Sequence, residues 1–260
     1  MEKGRRPQRG RGKGRGRRER RPRREEPEEE WIPKSDLGKA IFAGKEISID
    51  KLFEEGIKIR ESQIIDKIVP GVEKEIILIG GSCGKGGGSK RIPSRRTSRM
   101  HKSGRRYKIG VMSVVGNQDG YVGLGSAKGP TGKTRDVIRR AQNNAKLNLI
   151  PVRRGCGSWE CRCGGSHSIP FTVTGKAGSV TVTLMPAPKG LGLCVSDEVK
   201  KVLKLAGIKD IWCKARGKTQ TRTNLIKAVF SALGKMNKYR TLPVYVEKTG
   251  MITGRGGSSV

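Results

Sequence analysis

The stretch Gly104-Arg-Arg-Tyr-Lys-Ile-Gly-Val-Met-Ser-Val-Val-Gly-Asn-Gln-Asp-Gly-Tyr-Val-Gly-Leu-Gly-Ser-Ala-Lys128 carries two kinds of pattern side by side. Tyr107, Ile109 and Val111 alternate with other residues, the period-2 signature of a strand with one buried face. Gly116, Asn117, Gln118, Asp119 and Gly120 supply turn chemistry, and a second strand follows over residues 121–125. Between residues 134 and 150 the period changes: Ile138, Ala141, Ala145 and Leu149 recur at helical spacing, while Arg135, Arg139, Gln142, Asn143 and Lys146 take the other positions. A hairpin feeding a helix with one basic face is the predicted nucleus.

Upstream, residues 31–70 are weakly helical, with Ser48 placed to cap a helix that contains Leu52 and Phe53, and Ile64, Ile65 and Ile68 at helical spacing further on. Residues 76–79 form a short apolar run that reads as a strand, and residues 80–106 read as a loop. Its first part, 80–88, is Gly-rich and reads as flexible. Its second part crowds Arg91, Arg95, Arg96, Arg99, Lys102, Arg105 and Arg106 together. Downstream of Pro151, a Gly- and Cys-rich linker runs to about residue 168. Strands follow at Ile169, Phe171 and Val173 and at Val180, Val182 and Leu184. Ser196 caps a helix bearing Val199, Val202, Leu203 and Ala206, which Gly207 ends. A strand at 211–214 and a helix with Ile226, Val229, Phe230 and Leu233 on one stripe complete the pattern; the tail shows little periodicity. The fold class is α+β, two consecutive units joined at the Cys-rich linker.

Charge limits what such a chain can do. Its 260 residues hold 56 Lys+Arg against 23 Asp+Glu, a formal charge of +33 that repels itself unless a polyanion answers it. Leu, Ile, Val and Phe are absent from residues 1–30, which combine a Gly-spaced run of Arg and Lys with a following cluster of Glu. That arm is predicted to be disordered when free and to thread RNA. The remaining apolar content suits small compact cores and not a single large one. No apolar run is long enough to cross a bilayer or to serve as a secretory signal, so the expectation is a soluble, cytoplasmic protein without a membrane partner. Aromatic residues make up only 4% of the chain, too few for a sheet that stacks unpaired bases, which leaves structured RNA as the target.

No enzyme class finds its residues. Residues 125–134 end in the Gly-Lys-Thr of a phosphate loop, but the position where such a loop needs its first Gly is Ala127. Lys128, Lys133 and the following helix N-terminus fit a nucleic-acid phosphate better. With only two His, one of them among cations, acid–base catalysis has no anchor. An RNA chaperone or helicase-like factor would share the charge but needs a nucleotide site. Cys156, Cys161, Cys163 and His167 form a C-x4-C-x-C-x3-H set, a tetrahedral count of zinc ligands, although the C-x-C spacing is tighter than usual. Reduced thiols packed against a core, with Trp159 seating them, and a local disulfide are the other two readings. Cys83, Cys194 and Cys213 have no such neighbours.

Several ordered motifs resemble the universal S-five family of small-subunit ribosomal proteins. The quoted 104–128 segment is similar to the family signature. Asn148-Leu-Ile-Pro-Val-Arg-Arg-Gly155, Pro186-Ala-Pro-Lys-Gly190, Ala206-Gly-Ile-Lys-Asp-Ile211 and the loop Gly155-Cys-Gly-Ser-Trp-Glu-Cys161 resemble its archaeal type, and the likeness spans roughly residues 30–238. The resemblance implies a double-stranded-RNA-binding-like domain over 31–155, the Cys-rich linker at 156–168, a βαβ-containing domain over 169–240 and a tail at 241–260. It further implies a non-enzymatic constituent of the small ribosomal subunit that contacts small-subunit rRNA, ribosomal proteins four and eight, and mRNA near the channel by which mRNA enters. The family's rRNA-binding loop falls on 95–106. Clustered charge puts the contacts at Arg95, Arg96, Arg99, Lys102, Arg105, Arg106, Lys128, Lys133, Arg135, Arg153 and Arg154.

Overall fold

The computed structural model describes residues 31–45, 47–69, 71–83, 89–161 and 163–254, with residues 82, 83, 89 and 90 described for the backbone alone. The arm at 1–30, expected to be disordered, and residues 84–88 of the Gly-rich run lie outside the described residues.

Three short helices open the chain: α1 (Asp36–Phe42), α2 (Ile49–Glu54) and α3 (Ser62–Ile68). The Ser35 side chain caps α1 by accepting from the Gly38 N–H, while Ser48 takes the cap position of α2 as its sequence position predicts, though without a side-chain bond. Strands β1 (Glu73–Ile76), β2 (Gly80–Cys83), β3 (Ser89–Ile92), β4 (Ser94–His101), β5 (Gly104–Gly116) and β6 (Tyr121–Pro130) follow, then α4 (Thr134–Leu147), β7 (Leu149–Pro151) and β8 (Arg153–Arg154). The first sheet runs β1-β5-β6-β7. The long β5 is shared along one edge, its far end paired with β1 and its near end with β4. The second unit comprises β9 (Val173–Ala177), β10 (Val180–Pro186), β11 (Leu193–Cys194), α5 (Asp197–Leu205), β12 (Ile211–Arg216) and α6 (Arg222–Met236). Its sheet order is β11-β12-β10-β9, with β11 and β12 parallel across α5, which is the expected βαβ unit. Helix α7 (Pro243–Thr249) and β13 (Ile252–Thr253) complete the chain.

The structure corrects four expectations. Residues 94–106 are not a loop but an antiparallel hairpin, β4 on β5, closed by the two residues Lys102 and Ser103. Its side chains face water on both sides, so the apolar alternation that marks a strand is missing. The start of the Gly-rich run, residues 80–83, is also paired, β2 against β3; a Cβ at Gly80 would lie 2.0 Å from the Ser94 carbonyl oxygen, so that glycine serves close approach. The tail is structured: Pro243 starts α7, and β13 pairs with β8. These elements are too short to show a period. Finally, where only small cores were expected, one larger cluster runs through both units, from Ile77, Met112, Val114 and Leu124 to Val182, Leu203, Ile211 and Ile226, beside two small ones around Ile65 and Tyr121 and around Val111 and Val137. Residues 33 onward accordingly form one compact unit.

Polar side chains bind the two sheets' elements together. The connection after β1 is held by the buried Glu198, which accepts from the Leu78 N–H at 2.9 Å, and by Arg222, which donates to the Leu78 carbonyl at 2.7 Å. Lys146, read from sequence as part of the basic face of α4, is instead buried and paired with Asp66 of α3. Burial holds its ammonium pKa below the ordinary lysine value despite that partner. No helix among the described residues is long and apolar enough to cross a membrane.

Candidate nucleic-acid interface

The β4–β5 hairpin gathers the cations. Its register places Arg96 opposite Ile109, Ser98 opposite Tyr107 and Met100 opposite Arg105, which puts these six on one face. The other face carries Arg95 opposite Gly110, Thr97 opposite Lys108, Arg99 opposite Arg106 and His101 opposite Gly104. Every residue from 95 to 108 is exposed. Arg96 lies over the Tyr107 ring at 4.7 Å from its centroid, and Arg106 donates to the Ser103 hydroxyl at 3.1 Å. Among the described residues, no carboxylate pairs with Arg95, Arg96, Arg99, Lys102, Arg105 or Arg106. Arg99 and Arg106 face each other directly, an arrangement that costs the free hairpin stability and that a row of phosphates relieves.

Lys128 is exposed near the end of β6, across the sheet from Gly110, and Lys133 is the N-terminal cap residue of α4, with Arg135 exposed in its first turn. These three extend the basic surface from the hairpin toward the helix start. Lys108 belongs to the same surface and was missed, because inside an apolar alternation it reads as an ordinary outward residue.

Arg153 and Arg154 do not join them. The Arg154 guanidinium is buried, donating to Asp119 at 2.8 Å and to the Gly254 carbonyl at 3.2 Å. Arg153 donates to the carbonyls of Tyr239 (2.6 Å) and Asn237 (3.4 Å), and its desolvation lowers its pKa. Both clamp β8 to the elements around it, and a sequence cannot show that two adjacent arginines turn inward. Arg154→Met is therefore expected to lower the unfolding free energy by about 1–3 kcal/mol, since Asp119 and a carbonyl lose their donor, while leaving the affinity of the folded chain for RNA and its salt slope unchanged; denaturation and filter binding on the same preparation check this.

Comparison with known proteins finds two family domains in this chain. A family model described as ribosomal protein S5, N-terminal domain, matches residues 89–153, and one described as ribosomal protein S5, C-terminal domain, matches residues 175–244. The chain is 46% identical over 215 residues to the small ribosomal subunit protein uS5 of Methanothermobacter thermautotrophicus, covering 82% of this chain and 90% of that protein. It is 44% identical over 226 residues to the uS5 of Methanobrevibacter smithii, with 86% and 97% covered. Against the uS5 of Thermofilum pendens it is 46% identical over 213 residues, with 81% and 96% covered. The chain belongs to the ribosomal protein S5 family.

As an S5 protein of archaeal type it is a structural, non-enzymatic constituent of the ribosome. The phosphate-loop look-alike dissolves accordingly: residues 125–130 lie inside β6, with Ala127 paired to Val111, so no loop is present there to cradle a phosphate.

The cysteine segment of this S5 chain also converges. One ligand atom each from Cys156, Cys161, Cys163 and His167 lies within 4.8 Å of the others. Trp159, expected as a seat for the thiols, is 83% exposed, and Cys163 is exposed as well. Burial pushes the Cys156 thiol up to about 11, whereas the backbone N–H of Lys189, followed by Cys163, holds Cys161 down at about 6. Cys194 and Cys213 stand apart, the latter raised to about 11 by burial.

Proposed function

We propose that this S5 chain binds small-subunit rRNA chiefly through the β4–β5 hairpin and the adjoining Lys128, Lys133 and Arg135, and that it supports accurate translation from a position near the channel by which mRNA enters and the decoding region. The observation that carries this reading is the hairpin itself. Six exposed cations stand there without an acidic partner among the described residues, two of them directly opposed. Such a surface is electrostatically unfinished until a polyanion covers it. Arg and Lys on a narrow two-stranded ribbon grip phosphates and 2′-hydroxyls of folded RNA without reading its sequence. Its partners are then small-subunit rRNA, the ribosomal proteins four and eight, and mRNA in the channel.

The competing reading, an RNA chaperone or helicase-like factor, predicts transient association. Small subunits washed in high salt are expected to retain one copy of the chain each, measured by quantitative mass spectrometry, and crosslinks from Arg99 and Arg106 positions are expected in rRNA. Substoichiometric recovery, with the chain in the wash, would favour the transient factor.

A further inference from the structure

We propose that Cys156, Cys161, Cys163 and His167 hold one structural zinc ion, bound by three thiolates and the His167 Nε2, that fastens the 155–168 strap to the C-terminal unit. The inference concerns a different part of the molecule from the RNA surface and stands independently of it.

The argument starts from geometry. A tetrahedral zinc with Zn–S bonds of about 2.3 Å and a Zn–N bond of about 2.0 Å spaces its ligand atoms about 3.4–3.8 Å apart. The four atoms here already lie within 4.8 Å of one another, and the Cys161 sulfur stands 3.9 Å from His167 Nε2. A contraction of about 1 Å completes the site. The histidine is oriented for the task. Its Nδ1 lies 2.9 Å from Asp210 Oδ2, with both side chains buried, which leaves Nε2 as the ring nitrogen turned to the Cys161 sulfur and the atom that would bind a metal. Asp210 is in turn held by the N–H groups of Gly190 (3.1 Å) and Gly192 (2.8 Å), both donating to Oδ1. A carboxylate fixing the far nitrogen of a histidine is the support a metal ligand needs, and a histidine merely filling a core does not require three sulfurs beside it.

The rival explanations fit less. Thiols kept as small apolar groups belong in a core, as Cys213 is, yet Cys163 is exposed, Cys161 half-buried and Trp159 turned to water. A disulfide would use two of the three sulfurs and leave the His167–Asp210 pair unexplained. Binding releases the thiol protons to solvent and leaves a site of net charge −1, beside which Lys189 and Lys209 line the same recess as Cys163 and His167. The ends of the strap are already tied down: the His167 carbonyl accepts from the Lys209 and Asp210 N–H groups at 2.9 and 3.1 Å, and the Gly157 N–H donates to the Ile169 carbonyl at 3.3 Å. Gly155 and Ser168 exchange backbone hydrogen bonds at 2.9 and 3.2 Å, and the Cys156 N–H donates to the Thr249 carbonyl at 2.8 Å. A metal would close the segment between these points.

The test uses the full chain purified under reducing conditions without chelator. Elemental mass spectrometry is expected to find one zinc per chain. Metal-free protein titrated with Co(II) is expected to show the visible bands of tetrahedral cobalt with thiolate charge-transfer absorption. Cys163→Ser, at an exposed position that the fold does not depend on, is expected to reduce the thiolate band by about a third. Asp210→Asn is expected to weaken metal affinity about 10–100-fold while leaving the tetrahedral spectrum in place. Zinc-free protein whose thiols are all reactive and which gives no tetrahedral cobalt spectrum overturns the proposal. So does a disulfide within the strap, or bound metal indifferent to both Cys163→Ser and Cys161→Ser. Weak rRNA binding by zinc-loaded protein would count against the ribosomal interface alone.

Discussion

Replacing Arg95, Arg96, Arg99, Lys102, Arg105 and Arg106 together by Gln is expected to lower affinity for small-subunit rRNA by at least 100-fold at about 0.1 M salt and to flatten the log–log salt dependence by about 5, since each phosphate contact contributes about 0.9 to that slope. The loss should be nearly uniform across folded RNAs, because phosphate contacts carry no sequence information. The free protein should behave in the opposite sense. All six side chains are exposed, so the fold has little to lose, and removing the directly opposed Arg99 and Arg106 relieves a repulsion of a few tenths of a kcal/mol. A variant that binds RNA poorly and unfolds no earlier, or slightly later, is the signature of a surface built for a polyanion. Filter binding over a salt series with thermal unfolding of the same sample reads both. An unchanged slope would move the interface away from the hairpin, and a loss confined to particular sequences would replace phosphate gripping with base recognition.

The stripe on α6 was readable because burial there follows a simple period. The turn from Gly116 to Gly120, the cap positions at Ser48 and Ser196, whose side chains make no capping bond, and the Gly207 stop in the left-handed region (φ +80°) were readable from residue type, whereas Val111 to Gly116 of β5 and Tyr121 to Gly125 of β6 are buried on both faces. The β4 strand was not readable, since a ribbon wetted on both faces has no reason to alternate. Lys146 and Arg154 were misplaced for a related reason: a cation's partner is a tertiary fact, and Asp66 and Asp119 lie 80 and 35 residues away. The candidate interface was therefore drawn from charge density, and its residues from Arg95 to Arg106, read as a loop, lie on a β-hairpin. The clustering of Cys156, Cys161, Cys163 and His167 was legible from spacing, but Asp210, the side chain that meets His167, lies 43 residues beyond it.

Gly125→Ala is expected to cost about 3–5 kcal/mol, at the upper end for a single methyl, because there is no side chain to yield. An added Cβ would stand 2.2 Å from both the Ala141 carbonyl oxygen and the Ala145 nitrogen of α4, and 2.7 Å from the Ala145 Cα. Helix α4 rests here directly on β6, backbone against backbone, and must lift off to admit a methyl. That opens the contacts of Val137 and Ala141 with Ile109 and Val111. Gly175 plays the same part in the second unit, where a Cβ would meet the Ala228 oxygen at 2.0 Å and the Ala232 nitrogen at 2.6 Å, so Gly175→Ala is expected to be similarly damaging. Gly110 is the control within the same motif. Its nearest neighbour to an added Cβ is the Lys128 Cγ at 3.6 Å, and Gly110→Ala is expected to be neutral or to stabilise by up to about 1 kcal/mol by removing a glycine from a strand. Urea denaturation of the three variants with constant m-values measures the contrast. In the amino-acid string Gly110 and Gly125 are alike; what separates them is whether a helix backbone lies overhead. If Gly125→Ala and Gly110→Ala unfolded at the same denaturant concentration, α4 could shift on the sheet without cost, and close helix–sheet contact would no longer explain why this motif is rich in glycine.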